Sequence, residues 1–116
     1  TLLFFVLTIR RPPSSKLFPY TTLFRSYPVV IVGGGAAGVS VANNLRKRNA
    51  LLEIALIEPS EKHYYQPGFT IIGGGAYTLE KATKNEADLL HPSIIWEKGY
   101  AKTFDPDKNE VNLRSG

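Results

Sequence analysis

The chain has no cysteine and only two histidines among its 116 residues. Without cysteine there is no disulfide framework, no thiolate metal site and no cysteine nucleophile in this sequence. With two histidines besides, zinc lacks its usual ligands. Long apolar runs are missing as well: Leu2–Leu7 falls far short of the roughly 20 residues that cross a bilayer. Acids are absent from residues 1–26, which hold Arg10, Arg11, Lys16 and Arg25. From Tyr27 onward ten bases meet ten acids, so the formal net charge of +4 belongs to the leader alone. It gives no support to nucleic-acid binding.

The leader, residues 1–26, reads unlike the rest. Its apolar run precedes its basic residues, the reverse of a secretory signal. Pro12-Pro13-Ser14-Ser15 interrupts it, and neither a helical nor a strand period reaches Ser26. The stretch Arg10–Ser26 resembles translated sequencing-adapter read-through. A genuine membrane-touching or targeting segment is the alternative. On the first reading, residues 1–26 are a non-native or disordered leader, expected to stand outside the fold.

What is present after the leader begins with a glycine loop. Val29-Val30-Ile31-Val32 runs directly into Gly33-Gly34-Gly35-Ala36-Ala37-Gly38, and Glu58 closes a second apolar run twenty residues past Gly38. Strand, glycine turn, helix, strand and acid together make a dinucleotide-binding βαβ unit. Gly33 permits the tight turn off the strand. Gly35 lets the backbone approach a pyrophosphate on the free N–H groups of the helix start. Gly38 allows close packing of helix on strand, which the small Ala42 extends. Glu58 would accept hydrogen bonds from the adenosine ribose and repel a 2′-phosphate. An ordinary glycine-rich turn in a parallel sheet is the plainer alternative.

The remaining elements follow from pattern. Strand Val29–Val32 is entered through Pro28, where the missing N–H costs little. A helix is expected over Ala36–Arg48, with Val39, Ala42 and Leu45 on one face. Arg46, Lys47 and Arg48 in its last turn suit the dipole rather than a ligand. Ile54–Ile57 is a strand buried on both faces. Lys62–Leu79 reads as loop. Its second triplet, Gly73-Gly74-Gly75, fails as a repeat of the first, because Thr78 stands where Gly38 would and no apolar helical pattern follows. His63, Tyr64, Tyr65 and Gln66 form an aromatic and polar cluster past the ribose acid, either beside a long cofactor or simply packed at the surface. A short helix from Glu86 to Leu90 precedes a third parallel strand at Ile94-Ile95-Trp96, with Trp96 in the core and His91 structural or solvent-facing. A strand around Tyr100–Phe104, a turn at Asp105–Asn109 and a return at Glu110–Leu113 make a hairpin. The fold class is α/β: a Rossmann-like βαβ with a parallel sheet and a C-terminal β-hairpin, forming an incomplete domain over residues 27–116. At this length the chain is one domain at most. Its opening asks for more parallel strands than the remaining residues supply.

Three segments together resemble the sulfide:quinone oxidoreductases, in particular the branch that includes the mitochondrial enzyme. They are Val30–Gly38, Ile57–Pro67 with its Glu-Pro-Ser-Glu-Lys-His-Tyr-Tyr-Gln-Pro, and Asp105–Asn109. The resemblance covers Tyr27 to Gly116 and implies FAD as cofactor, which the glycines and Glu58 alone leave undecided against NAD. It implies that Ala36 and Ala37 offer backbone N–H groups to the FAD pyrophosphate, with Gly33, Gly35 and Gly38 shaping the loop. Glu58 would bind the ribose, Gln66 would touch the cofactor nearby, and Ala101 would meet the adenine through its main chain. In such enzymes sulfide attacks a cysteine disulfide, and electrons pass through FAD to a membrane quinone. The partners implied are sulfide and quinone, with peripheral membrane association through parts beyond this segment. The redox cysteines, the second dinucleotide-like domain and the quinone pocket have no counterpart here, so the chain is expected to be an inactive N-terminal fragment. Rival readings are a flavocytochrome c sulfide dehydrogenase subunit, a type II NADH dehydrogenase, or a non-catalytic nucleotide-binding module.

Overall fold

The computed structural model describes residues 7–11 and 23–114. In chain order its first elements are β1 (Leu7–Arg11), β2 (Leu23–Tyr27), β3 (Val29–Val32), α1 (Ala36–Arg48), β4 (Ile54–Ile57) and β5 (Lys62–Tyr64). There follow α2 (Gly68–Gly73), α3 (Leu79–Ala82), β6 (Thr83–Asn85), α4 (Glu86–Leu89), β7 (Ile95–Glu97), β8 (Ala101–Asp105) and β9 (Glu110–Leu113).

A three-stranded parallel sheet in the order β3-β4-β7 holds the centre. Val29 pairs with Ile54 and Val32 with Ile57, while Ala55 pairs with Ile95 and Ile57 with Glu97. All four residues of β4 are buried, as a continuous apolar run in a middle strand requires. Because side chains alternate along a strand, Ile54 and Leu56 join Ala42 of α1 and Ile94 in one cluster. Ala55 and Ile57 join Tyr27, Val111 and Leu113 in another. Helix α1 buries Val39 and Ala42, and the small Ala42 lets it lie close to the sheet. Its last turn carries Arg46, Lys47 and Arg48, and the Arg46 guanidinium donates to the Leu52 carbonyl at 3.2 Å.

The far cluster is covered by a second sheet in the order β2-β1-β9-β8. Strands β8 and β9 form the expected hairpin, with a register shift between Ala101 and Thr103. Its turn is tied by the Lys108 N–H on Asp105 Oδ1 at 3.2 Å, and Asn109 takes φ 53°, a left-handed conformation that asparagine tolerates. Two pieces of the leader belong to this sheet, which differs from the expectation that residues 1–26 stand outside the fold. β1 lies parallel to β9 and antiparallel to β2. Pairing of this kind uses backbone N–H and C=O groups, so it needs no side-chain period. The early apolar run to Val6 and the Pro12–Ser15 break lie outside the described residues.

The middle segment is more ordered than its composition suggests. β5 and β6 form a two-stranded antiparallel ribbon in which His63 stands opposite Lys84. The second glycine triplet ends a helix: Gly73 is the last residue of α2, Gly74 caps it and Gly75 takes φ 77°.

Candidate functional site

The loops leaving the carboxyl ends of β3 and β4 converge on one cavity, the usual place for a ligand on an open α/β sheet. Directly after β3, Gly33 turns the chain with φ 101°, and its N–H donates to the Ile57 carbonyl at 2.8 Å. A Cβ at Gly38 would run into the Gly33 carbonyl oxygen, so only glycine lets α1 begin this close to the strand. Gly35 is the N-cap of α1, no side chain caps the helix and no acid lies in its first turn. The N–H groups of a first turn have no partners within the helix, and together with the dipole they suit an anion.

The cavity encloses about 600 Å³ and is lined by Gly34, Gly35, Ala36, Ala37, Glu58 and Gln66, with Ser60, the Lys62–Tyr65 strip, Pro67 and Glu86 completing its wall. That is within the usual range of a small-molecule site. Of the eight residues expected to hold the cofactor, five meet around it: Gly35, Ala36, Ala37, Glu58 and Gln66, with the His63–Tyr65 cluster beside them. Gly33 and Gly38 stand behind the loop and shape it. Ala101 begins β8 opposite Leu113 and packs against the far cluster, and it is not part of the cavity wall.

Glu58 is held by its neighbours before any ligand arrives. Its N–H donates to the Glu97 carbonyl at 3.1 Å, and its carbonyl accepts from Trp96 Nε1 at 2.8 Å. Trp96 is therefore a packed residue that also fixes the acid, with the Lys98 ammonium 4.6 Å from its ring centre. Glu58 Oε2 accepts from the Gly34 N–H and Oε1 from the Ser60 N–H, both at 2.7 Å. Each carboxylate oxygen keeps a second lone-pair site, so the group can still accept from ribose hydroxyls.

Glu86 belongs to the site, and the sequence reading placed it only at the start of a short helix. It is 1% exposed, its Oε2 lies 3.2 Å from His63 Nδ1, and its Oε1 has no partner. Burial pushes its carboxyl above the ordinary value and nearby Glu58 adds to the rise, while His63 pulls the other way. His63 Nδ1 is also 3.0 Å from the Gly34 carbonyl oxygen. His91 lies apart and exposed, bonded to Ser93 and through its N–H to Asn43, in a structural role. Among the described residues no cluster of His, Cys, Asp and Glu could hold a metal ion.

These features define an α/β protein of dinucleotide-binding type, with a glycine loop, an uncapped helix start and a carboxylate held beside it. The chain belongs to the pyridine nucleotide-disulphide oxidoreductase family, which matches residues 27–116. Members of that family are FAD-dependent oxidoreductases. Among curated relatives, the mitochondrial sulfide:quinone oxidoreductase of Dictyostelium discoideum is 43% identical over 89 residues, covering 76% of this chain and 20% of that protein. The mitochondrial sulfide:quinone oxidoreductase of Mus musculus is 32% identical, covering 78% and 20%. The solved sulfide:quinone oxidoreductase of Aquifex aeolicus superposes with a TM-score of 0.65 at 29% identity, over 76% of this chain and 21% of that one. The chain thus spans about a fifth of the length of these relatives.

The residues present fit FAD. A Cβ built on Gly35 meets nothing within 4 Å, so the space beside that backbone is open for a diphosphate. The uncapped helix start, Glu58 with its positioned carboxylate, and Glu86 all line the same cavity.

Proposed function

We propose that residues 27–116 hold the adenosine diphosphate half of FAD in a sulfide:quinone oxidoreductase. The observation that carries this reading is the single cavity joining the α1 start, Glu58 and Gln66. The names of the relatives turn it from a general nucleotide site toward sulfide oxidation. Backbone N–H groups of Gly35, Ala36 and Ala37 take the diphosphate. Glu58 accepts from the adenosine ribose hydroxyls, and its charge disfavours a 2′-phosphate there. Gln66 contacts the cofactor further along. Bound FAD supplies two-electron transfer between a sulfur donor and a quinone. This chain orients it and excludes water from the diphosphate. With no cysteine in the sequence, the sulfur chemistry falls to residues elsewhere in the whole enzyme. Quinone as acceptor puts that enzyme at a membrane surface, although no helix among the described residues is long and apolar enough to cross one.

The test is a gene extended downstream and expressed from Tyr27, followed by visible spectroscopy. Flavin bands that bleach with sulfide and recover with a soluble quinone are the expected result. Bands indifferent to sulfide but bleached by NADH would move the assignment to NADH-oxidising relatives, and absence of flavin would leave only a nucleotide-binding fold.

A further inference from the structure

The peptide between Gly34 and Gly35 is gripped by a couple, one member half-buried and one fully buried, that the cofactor contacts do not require. The β5–β6 ribbon sets Lys62 opposite Asn85, which brings His63 and Glu86 to the same side of the glycine loop. The Glu86 N–H is anchored on the Glu61 carbonyl at 2.9 Å. His63 Nδ1 lies 3.0 Å from the Gly34 carbonyl oxygen and 3.2 Å from Glu86 Oε2. The carbonyl oxygen can only accept, so Nδ1 carries the proton and shares it between two acceptors. Glu86 accepts there whether or not its other oxygen is protonated, more strongly as a carboxylate. On the other side of Gly34, its N–H donates to Glu58 at 2.7 Å. A trans peptide is planar, with C=O and N–H opposed. Fixing the Gly34 carbonyl on His63 therefore fixes the direction of the Gly35 N–H at the helix start.

We propose that His63 and Glu86 are positioning residues of the nucleotide site, holding the Gly34–Gly35 peptide in the orientation a dinucleotide diphosphate needs. This rests on the nucleotide reading above and adds two residues to it. A purely architectural role for Glu86 makes a different forecast. Glu86→Leu removes a carboxylate that burial penalises and leaves His63 Nδ1–H the Gly34 carbonyl as its acceptor, so stability and binding should part company in this variant.

The experiment titrates FAD and ADP into the 116-residue chain by calorimetry, alongside thermal melts of the free protein. Glu86→Leu should weaken both ligands by about tenfold or more, the scale of lost outer-shell support, with an unchanged or higher melting temperature. Glu86→Gln, which keeps an acceptor for Nδ1–H, should restore affinity to within about threefold. Equal affinity for Glu86→Leu and the parent chain would overturn the proposal while leaving the nucleotide site intact. So would a Glu86→Gln variant as weak as Glu86→Leu. If Glu86→Leu does not fold, His63→Asn against His63→Phe decides: Asn keeps an N–H donor and should bind the more tightly, and equal binding overturns the proposal. A parent chain that takes up neither FAD nor ADP would overturn the nucleotide reading itself, and this inference with it.

Discussion

The parallel sheet and the β2-β1-β9-β8 sheet share one apolar cluster yet divide the work. β4 is buried along its whole length, whereas β9 buries only Val111 and Leu113 and β8 is largely exposed or half-buried. The parallel strands end in the loops that carry Gly34–Ala37 and Glu58, and these make the cavity. The second sheet supplies a platform: Tyr27, Val111 and Leu113 close the face of the parallel sheet opposite α1. Ligand chemistry thus gathers where strands are covered on both sides, because only there are backbone N–H groups and a partly buried carboxylate held rigidly enough to select a ligand.

The strongest way to break the division is Gly38→Val. The new side chain would collide with the Gly33 carbonyl, and backbone cannot swing aside as a side chain can. Unfolding in urea should show a loss of about 3 kcal/mol, and nucleotide binding should go with it. Gly35→Val separates site from scaffold instead. Gly35 sits at φ −66° and ψ 178°, open to any residue, and a Cβ there meets nothing. Stability should stay within about 0.5 kcal/mol, while calorimetry should detect no FAD or ADP uptake. Glu58→Ala falls between the two. It removes the acceptor for the Gly34 and Ser60 amides along with the proposed ribose contact, and should weaken FAD by about 1–3 kcal/mol. Unchanged affinity would remove Glu58 from its ribose role.

The same contrast explains what the sequence disclosed. β3, α1, β4 and β9 have the bounds that hydrophobic pattern and glycine placement predict, because continuous apolar runs and a 3.6-residue stripe are local signals. α2 went unrecognised: its β-branched Thr70, Ile71 and Ile72 between glycines speak against a helix, and six residues give no period to count. The β5–β6 ribbon is polar and pairs residues 19 to 23 positions apart, which no local window reveals. Glu86 was hidden for that reason. An acid opening a helix looks like a dipole match, and only the ribbon buries it. The leader strands were equally unreadable, since β1 takes its place by backbone pairing with β9 and β2 by pairing with β1.

Glu86 also gives the site a pH signature of its own. Its carboxyl is raised in the folded chain above the ordinary value of 4.5, chiefly by burial. As pH climbs past 4.5 the unfolded chain releases this proton first. The folded chain then holds more protons, so stability falls with rising pH until the folded group titrates too. The contribution is intact below the ordinary value and lost above it. Glu86→Gln removes the slope, so urea titrations across this window should show the variant gaining on the parent by at most about 1.4 kcal/mol per pH unit. Parallel curves would show that Glu86 is ionised in the fold at no cost.

The smallest effect on the site should come from removing the leader. We propose that residues 1–26 are dispensable for nucleotide binding, although β1 pairs Thr8, Ile9 and Arg10 with Glu110, Val111 and Asn112. A chain starting at Tyr27 keeps both sheet clusters and every residue of the cavity wall. It loses the edge partner of β9 and the Arg25 guanidinium that meets Glu97 at 3.0 Å. Amide exchange should therefore quicken in Glu110–Leu113, because an uncovered edge opens locally. FAD and ADP affinities should hold within about twofold, as distant sites without shared partners act independently. If affinity instead falls in step with exchange in β9, the two sheets are one cooperative unit, and the platform is as much a part of the site as the glycine loop.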